Sequence, residues 1–263
     1  MMRQSLHVHS TLDDGKSTME EMVLSAIENG LESIGFSGHS PLPFGEDWTM
    51  SQDDLKAYHK EIDRLRKEYS GIKIYRGLEL DTFSEKPEGE YDYIIGSCHN
   101  LNVNGYIFSV DETREILIDA IENHFDGNPA ALAKAYFNEV AKAEGDIQGH
   151  FDLLTKFNEK GDIFIEKDYL QHALSVLEYQ NRKGLIFEIN TGAMSRGYRS
   201  QPYPSQEILY GLKKLDGRIT ITSDCHNAKD IAYAYEEAEY YAKDSGFREI
   251  WLYNGEKFEK ERI

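Results

Sequence analysis

Short β-like runs followed by amphipathic helical stretches recur along the whole chain, and this alternation limits the fold more than any other feature of the sequence. The first run, residues 3–7, precedes Ser17-Thr18-Met19-Glu20-Glu21, which holds two overlapping capping-box patterns ahead of a helix closed by Gly30. The next, residues 32–37, leads through His39-Ser40-Pro41-Leu42-Pro43 to a helix over about 51–69, stopped by Gly71. Further strand-like runs fall at 73–80, 91–97, 146–149, 185–190 and 218–223. Helical patterns fall at 112–125, 129–144, 167–182, 204–215 and 228–244, with Pro129 and Pro204 expected at the first position of their helices. Residues 91–97 and 106–110 are candidates for a hairpin, and 249–258 for a short strand with a Tyr253-Asn254-Gly255 turn.

Alternating strands and helices predict a parallel α/β sheet. About seven such units without a Gly-rich dinucleotide fingerprint favour a closed barrel over a doubly wound sheet. At 263 residues and 40% hydrophobic content the chain can bury one large core, and no Pro-, Gly- or Ser-rich linker divides it, so a single domain over 1–263 is expected.

Charge and cysteine usage narrow the partners. With 29 Lys+Arg against 47 Asp+Glu, the formal net charge of −18 repels polyanions, which argues against nucleic acid and anionic membranes. No basic segment followed by an apolar run opens the sequence, and no stretch of about 18 apolar residues occurs, so a soluble cytoplasmic protein is expected. Cys98 and Cys225, the two cysteines, supply no disulfide framework and suit a reducing compartment.

The functional signal is where metal-ligand residue types fall. A barrel gathers the C-terminal ends of its strands around one pocket. His7 and His9 close the first strand with Asp14 in the following loop, His39 follows the second, Glu79 ends the third, and His99 and His150 follow the fourth and fifth. Asp224 and His226 end the last barrel strand in Thr222-Ser223-Asp224-Cys225-His226. Six of the nine histidines thus sit at strand ends, whereas His59, His124 and His172 lie within helical patterns and belong to ordinary helix faces. A lone strand-end imidazole is usually a satisfied hydrogen-bonding residue. Six imidazoles and three carboxylates in one pocket, however, are costly to desolvate unless a cation sits among them.

Neutral imidazole and carboxylate suit Zn, Mn or Fe, and at about four protein ligands per ion the set serves two or three divalent metals. Neighbouring ions can hold a bridging hydroxide and clamp both oxygens of a phosphoryl transfer, so hydrolysis is the expected chemistry. Such ions also reverse the potential inside the pocket of an acidic protein, letting an anionic substrate enter.

These positions resemble the polymerase and histidinol phosphatase (PHP) superfamily through His7-Val8-His9, Asp14-Gly15, Gly38-His39, Glu79, Ser97-Cys98-His99, Gly149-His150 and Ser223-Asp224-Cys225-His226. The segments Phe36-Ser37-Gly38-His39-Ser40-Pro41-Leu42-Pro43, Gly77-Leu78-Glu79-Leu80-Asp81 and Phe187-Glu188-Ile189-Asn190-Thr191-Gly192 resemble the histidinol-phosphate phosphatase branch. The resemblance implies a distorted seven-stranded (β/α)7 TIM-like barrel with a trinuclear site. In it His7, His9, Glu79 and Asp224 would hold one ion, with Glu79 bridging to a second bound by His99 and His150. Asp14, His39 and His226 would hold the third, Asp14 standing where some relatives carry histidine. The segment 100–110 departs from the branch, and Lys156 stands near where an arginine is common.

Catalysis is therefore expected from Glu79, Asp224 and Arg196, and phosphate binding from Arg196, Arg199 and Lys156. No residue free of metal duty stands out as a proton donor to the leaving group, and strand alternation turns Cys98 and Cys225 away from the pocket as packing residues. The expected activity is hydrolysis of a small phosphorylated substrate, foremost L-histidinol phosphate. The alternatives are another small phosphate ester or nucleotide, and a metal-stabilised binding protein without turnover. Residue types fix neither the oligomeric state nor which metal binds.

Overall fold

The computed structural model describes residues 4–263, so Arg3, expected in the first strand, lies outside the described residues. In chain order the elements are β1 (Gln4–Ser5), α1 (Met19–Glu28), β2 (Ser33–Phe36), α2 (Gln52–Glu68), β3 (Lys73–Arg76), β4 (Glu79–Asp81), β5 (Ile95–Ser97), β6 (Asn100–Val103) and β7 (Tyr106–Ser109). There follow α3 (Arg114–His124), α4 (Pro129–Val140), β8 (Ile147–Gln148), α5 (Glu166–Lys183), β9 (Ile186–Asn190), α6 (Gly192–Ser195), α7 (Gln206–Lys214), β10 (Arg218–Thr222), α8 (Tyr235–Asp244), β11 (Glu249–Tyr253) and β12 (Phe258–Arg262).

Local sequence explains most of the boundaries. Of the two overlapping capping boxes, the Thr18–Glu21 pair forms and starts α1, and Ser51 with Asp54 does the same for α2. Pro129 opens α4 at its first position, and Gly184 closes α5 in the left-handed conformation.

The strands form a three-stranded sheet, β1-β2-β3, and a five-stranded sheet, β10-β9-β8-β5-β4, with every pair parallel. Backbone bonds cross both gaps between them. On one side the Glu79 amide donates to Gly38 O and the Ser40 amide to Glu79 O; on the other, the His9 amide donates to Cys225 O and the Cys225 amide to His7 O. Leu6, just after β1, packs with Ile95, Ile147 and Ile186 of β5, β8 and β9. The β11–β12 hairpin joins this apolar set through Tyr253, whose backbone N–H and C=O both bond the Gln4 side chain.

Several expectations are corrected. The run 73–80 is two strands, β3 and β4, because it leaves β2 pairing at Gly77 and passes to β5. The hairpin forms within 100–109 and not from 91–97: both edges of β5 are taken by parallel neighbours, while Asn104 and Gly105 adopt the positive φ of a tight β6–β7 turn. Pro204 precedes the cap Ser205 and α7 starts at Gln206. The helix expected over 228–244 is a 3-10 turn at Ala228–Asp230 and then α8, separated at Ala234, whose φ is +54°. Among the described residues no helix is long and apolar enough to cross a membrane.

Candidate metal centre

Strand geometry brings the strand-end residues together. Val8 and Cys225 bridge β1 to the chain after β10, and both point into one apolar cluster. Alternation then turns their neighbours His7, His9, Asp224 and His226 to the opposite side. Cys98 likewise packs in the apolar core while His99 faces the pocket. Asp224 holds a φ of +45°, uncommon for a residue with a side chain. Gly192 lies so close that a Cβ there would stand 2.8 Å from the Asp224 carboxylate.

The nine candidate ligands fall into four overlapping groups, within each of which the donor atoms lie within 4.8 Å of one another: His9, Asp14, His39 and His226; His7, His9 and Asp224; His7, Glu79 and His150; His39, Glu79 and His99. Glu79 is the hub. Its Oε1 lies 2.9 Å from His150 Nε2 and 3.4 Å from His99 Nε2, and its Oε2 lies 2.8 Å from His39 Nδ1 and 3.3 Å from His7 Nε2. Compared with the expected grouping, His9 also reaches Asp14 and His39 also reaches Glu79.

The chemistry of this donor set fits divalent cations. His7 Nε2 and His9 Nε2 lie 3.3 and 3.5 Å from Glu79 Oε2, and all three atoms are buried with no hydrogen-bond partner, the crowding of polar donors that an ion among them would satisfy. Burial would raise the Glu79 pKa, yet His39, His7, His99 and His150 outweigh it and hold the carboxyl well below its usual range. Burial opposes charge on His9, yet Asp13 overcomes it and pushes the imidazole up to about 10. His226 goes the other way, lowered by burial and by repulsion from His9. Without an ion, protons must balance these carboxylates; a divalent cation does so with its own charge.

Three carboxylates that sequence reasoning assigned no role orient the imidazoles. Asp13 Oδ2 lies 2.6 Å from His9 Nδ1 and accepts the His39 amide at 3.1 Å. Asp81 Oδ2 lies 2.9 Å from His99 Nδ1, and Glu188 Oε2 lies 2.8 Å from His7 Nδ1. Each is placed to accept a hydrogen bond from Nδ1–H while Nε2 faces the pocket, an arrangement that raises the basicity of a metal-binding imidazole. Spacing carries part of this signal, because Asp81 sits two residues after Glu79 on the same strand face.

The expected cations separate. Arg196 lines the cavity and donates to Asp224 Oδ2 and Asp224 O, each at 3.2 Å, with Nη1 2.9 Å from His226 Nδ1. Lys156 lines the same cavity, but its ammonium is committed to Asp111 O at 2.7 Å and Asp111 Oδ2 at 3.0 Å, above the Tyr198 ring. Arg199 is not brought to the cavity wall; it donates to Thr155 Oγ1 and stacks on Tyr203 at 4.5 Å. The cavity, about 620 Å³, has Trp48, Tyr198 and Leu153 on its wall beside Asp111 and Glu112.

The PHP domain profile matches residues 5–192. A probable histidinol-phosphatase of Deinococcus radiodurans is 27% identical, over 93% of this chain and 94% of that protein. The histidinol-phosphatase of Bacillus subtilis is 26% identical, over 90% of this chain and 98% of that protein. A crystal structure of histidinol phosphate phosphatase from Lactococcus lactis, complexed with Zn, L-histidinol and phosphate, superposes with a TM-score of 0.72 at 24% identity, over 98% of each chain.

Proposed function

The chain belongs to the PHP domain family, and from that premise we propose that it is a metal-dependent phosphomonoesterase that hydrolyses L-histidinol phosphate to L-histidinol and phosphate in the cytoplasm. The observation that carries this reading is the convergence of nine donors from separate parts of the chain into overlapping groups, six of the nine lining one cavity. The histidinol-phosphatase relatives cover almost the full chain and point to the substrate.

Two or three ions, drawn from Zn, Mn or Fe, would be held by this set. His7, His9, Glu79 and Asp224 suit the first, with Glu79, His99 and His150 at the second and Asp14, His39 and His226 at the third. Bound there, they supply positive charge that polarises a phosphoryl group and makes water a nucleophile at neutral pH. The protein's own groups do the rest. Arg196, already facing the metal ligands, would hold a phosphoryl oxygen and offset charge that grows during transfer. Trp48 and Tyr198 offer aromatic faces, and Glu112 a carboxylate, to the cationic and aromatic end of histidinol. The cavity volume suits a small ester. Lys156 supports this wall and Arg199 packs outside it, and neither suits a phosphate ligand, since both are committed to neighbours.

We also read the two sheets as one distorted seven-stranded (β/α)7 TIM-like barrel, with β3 and β4 as a single interrupted strand. The backbone bonds across both gaps support this reading. Asp224 and His226 lie beyond the segment matched by the family profile yet group with His7, His9 and Asp14, which supports one domain over 1–263.

The test is phosphate release from L-histidinol phosphate and a panel of sugar and nucleotide monophosphates, with Mn, Zn or Fe loaded. The proposal expects L-histidinol phosphate to give the highest kcat/KM. Good turnover of other esters without it would reject the substrate, and no turnover of any ester by metal-loaded protein would reject the enzyme.

A further inference from the structure

Glu188, on β9, sits behind the metal ligands, and all its hydrogen-bonding capacity is used. Oε2 accepts from Thr222 Oγ1 and faces His7 Nδ1, both at 2.8 Å. Oε1 accepts from the His150 backbone amide at 2.6 Å and from Asn190 Nδ2 at 2.7 Å. The same Asn190 amide group lies 3.3 Å from Asp224 Oδ2. Glu188 is 1% exposed and does not line the cavity, so solvent and substrate do not explain a carboxylate there.

We propose that Glu188 is the positioning residue of the metal centre, one buried carboxylate that fixes His7 by its ring, His150 by its backbone and Asp224 through Asn190. Its effect on His7 is chemical as well as steric. By accepting a hydrogen bond from Nδ1–H it keeps the ring hydrogen there and the lone pair on Nε2, the atom 3.3 Å from Glu79 Oε2 and 3.8 Å from Asp224 Oδ1. Four donors on two oxygens require the ionised acid, and glutamine cannot imitate it. If the amide oxygen faces His7, the amide NH2 meets the His150 N–H and the Asn190 NH2, donor against donor. If the oxygen faces His150, the NH2 meets His7 Nδ1, which must then accept. The ring hydrogen moves to Nε2 and blocks the lone pair that would bind an ion.

This inference rests on the proposed metal centre, and the experiment separates the two. Metal-free wild type, Glu188→Gln and the exposed control Glu178→Gln are titrated with Co²⁺, following the visible absorption of the bound ion and counting ions per chain. The expected result is that Glu178→Gln matches wild type while Glu188→Gln binds at least one ion roughly 10- to 100-fold more weakly, with an altered spectrum. A folded Glu188→Gln protein with wild-type affinity and spectrum overturns the role of Glu188 alone. A wild type that takes up no ion overturns the metal centre itself. The wild type gives a second measurement should the variant fail to fold: in the Zn-loaded protein, ¹⁵N-resolved NMR should find the His7 hydrogen on Nδ1. Finding it on Nε2 overturns the inference.

Discussion

Glu79 and His150 stand 71 residues apart in sequence and meet at 2.9 Å, Oε1 to Nε2, joining the start of β4 to the chain just after β8. The other oxygen of Glu79 faces His39 and His7, so one carboxylate spans both halves of the donor cluster. Replacing it by glutamine keeps the volume and removes the charge that two ions would share. Glu79→Gln is expected to lose ion uptake and to lower kcat by more than the roughly 10- to 100-fold typical of losing an outer partner. Metal analysis and phosphate release on the same sample check this, and a variant with full metal content and rate contradicts it.

Arg196 and Arg199 divide in role although only two residues separate them. Arg196 faces the cavity beside Asp224 and His226, whereas Arg199 lies across Tyr203 and bonds Thr155. Arg196→Ala should reduce kcat/KM by roughly 100-fold with little change in melting temperature. Arg199→Ala should leave kcat/KM within a few-fold and cost about 1–3 kcal/mol of stability, through the lost bond and ring contact. Steady-state kinetics and urea unfolding of the two variants distinguish them.

The Lys156–Asp111 pair sets a pH dependence. Burial would raise the Asp111 pKa, but Lys156 above all, helped by His99 and His150, brings it down to about 2 from its ordinary 3.8. Because the folded value is the lower one, the stabilisation is complete above about pH 4 and is lost as pH falls through about 2. Asp111→Asn should therefore cost at most roughly 2 kcal/mol at pH 7, and the cost should shrink towards pH 3. Melting temperatures of both proteins at pH 7, 5 and 3 read this directly; a difference that grows on acidification contradicts it.

Gly77 marks the break between β3 and β4. A Cβ there would collide with the Tyr93 ring and lie 2.7 Å from Phe36 O, while Tyr93 itself donates to Leu6 O from the middle of the strand bundle. Gly77→Ala should destabilise by about 1–3 kcal/mol or more, measured by urea unfolding.

Much of the site was legible in the sequence because ligand types at strand ends carry a spacing that helices and solvated loops do not demand. His7, His99 and His150 could be located by periodicity alone, since a parallel α/β chain has one place where strand ends meet. Which ligands share an ion was less accessible. The position of His39 between Glu79 and Asp14 depends on rotamers and on where β2 ends. Glu188 stands in a segment that resembles the histidinol-phosphate phosphatase branch, but its role is not legible there, because a glutamate inside an apolar strand reads as an isolated exception until its four donors are seen around it. The β6–β7 hairpin escapes the sequence for a related reason: one edge of β5 is taken by β4 just before it and the other by β8, far along the chain, and a scan of neighbours does not see the second.

The most direct test of the central claim is anomalous diffraction from crystals of the Mn- or Zn-loaded protein at the metal absorption edge. Two or three peaks are expected, with Glu79 between two of them and His7, His150 and Asp224 each beside one. A map with no peak in this pocket, from protein shown to be folded and fully loaded, would contradict it.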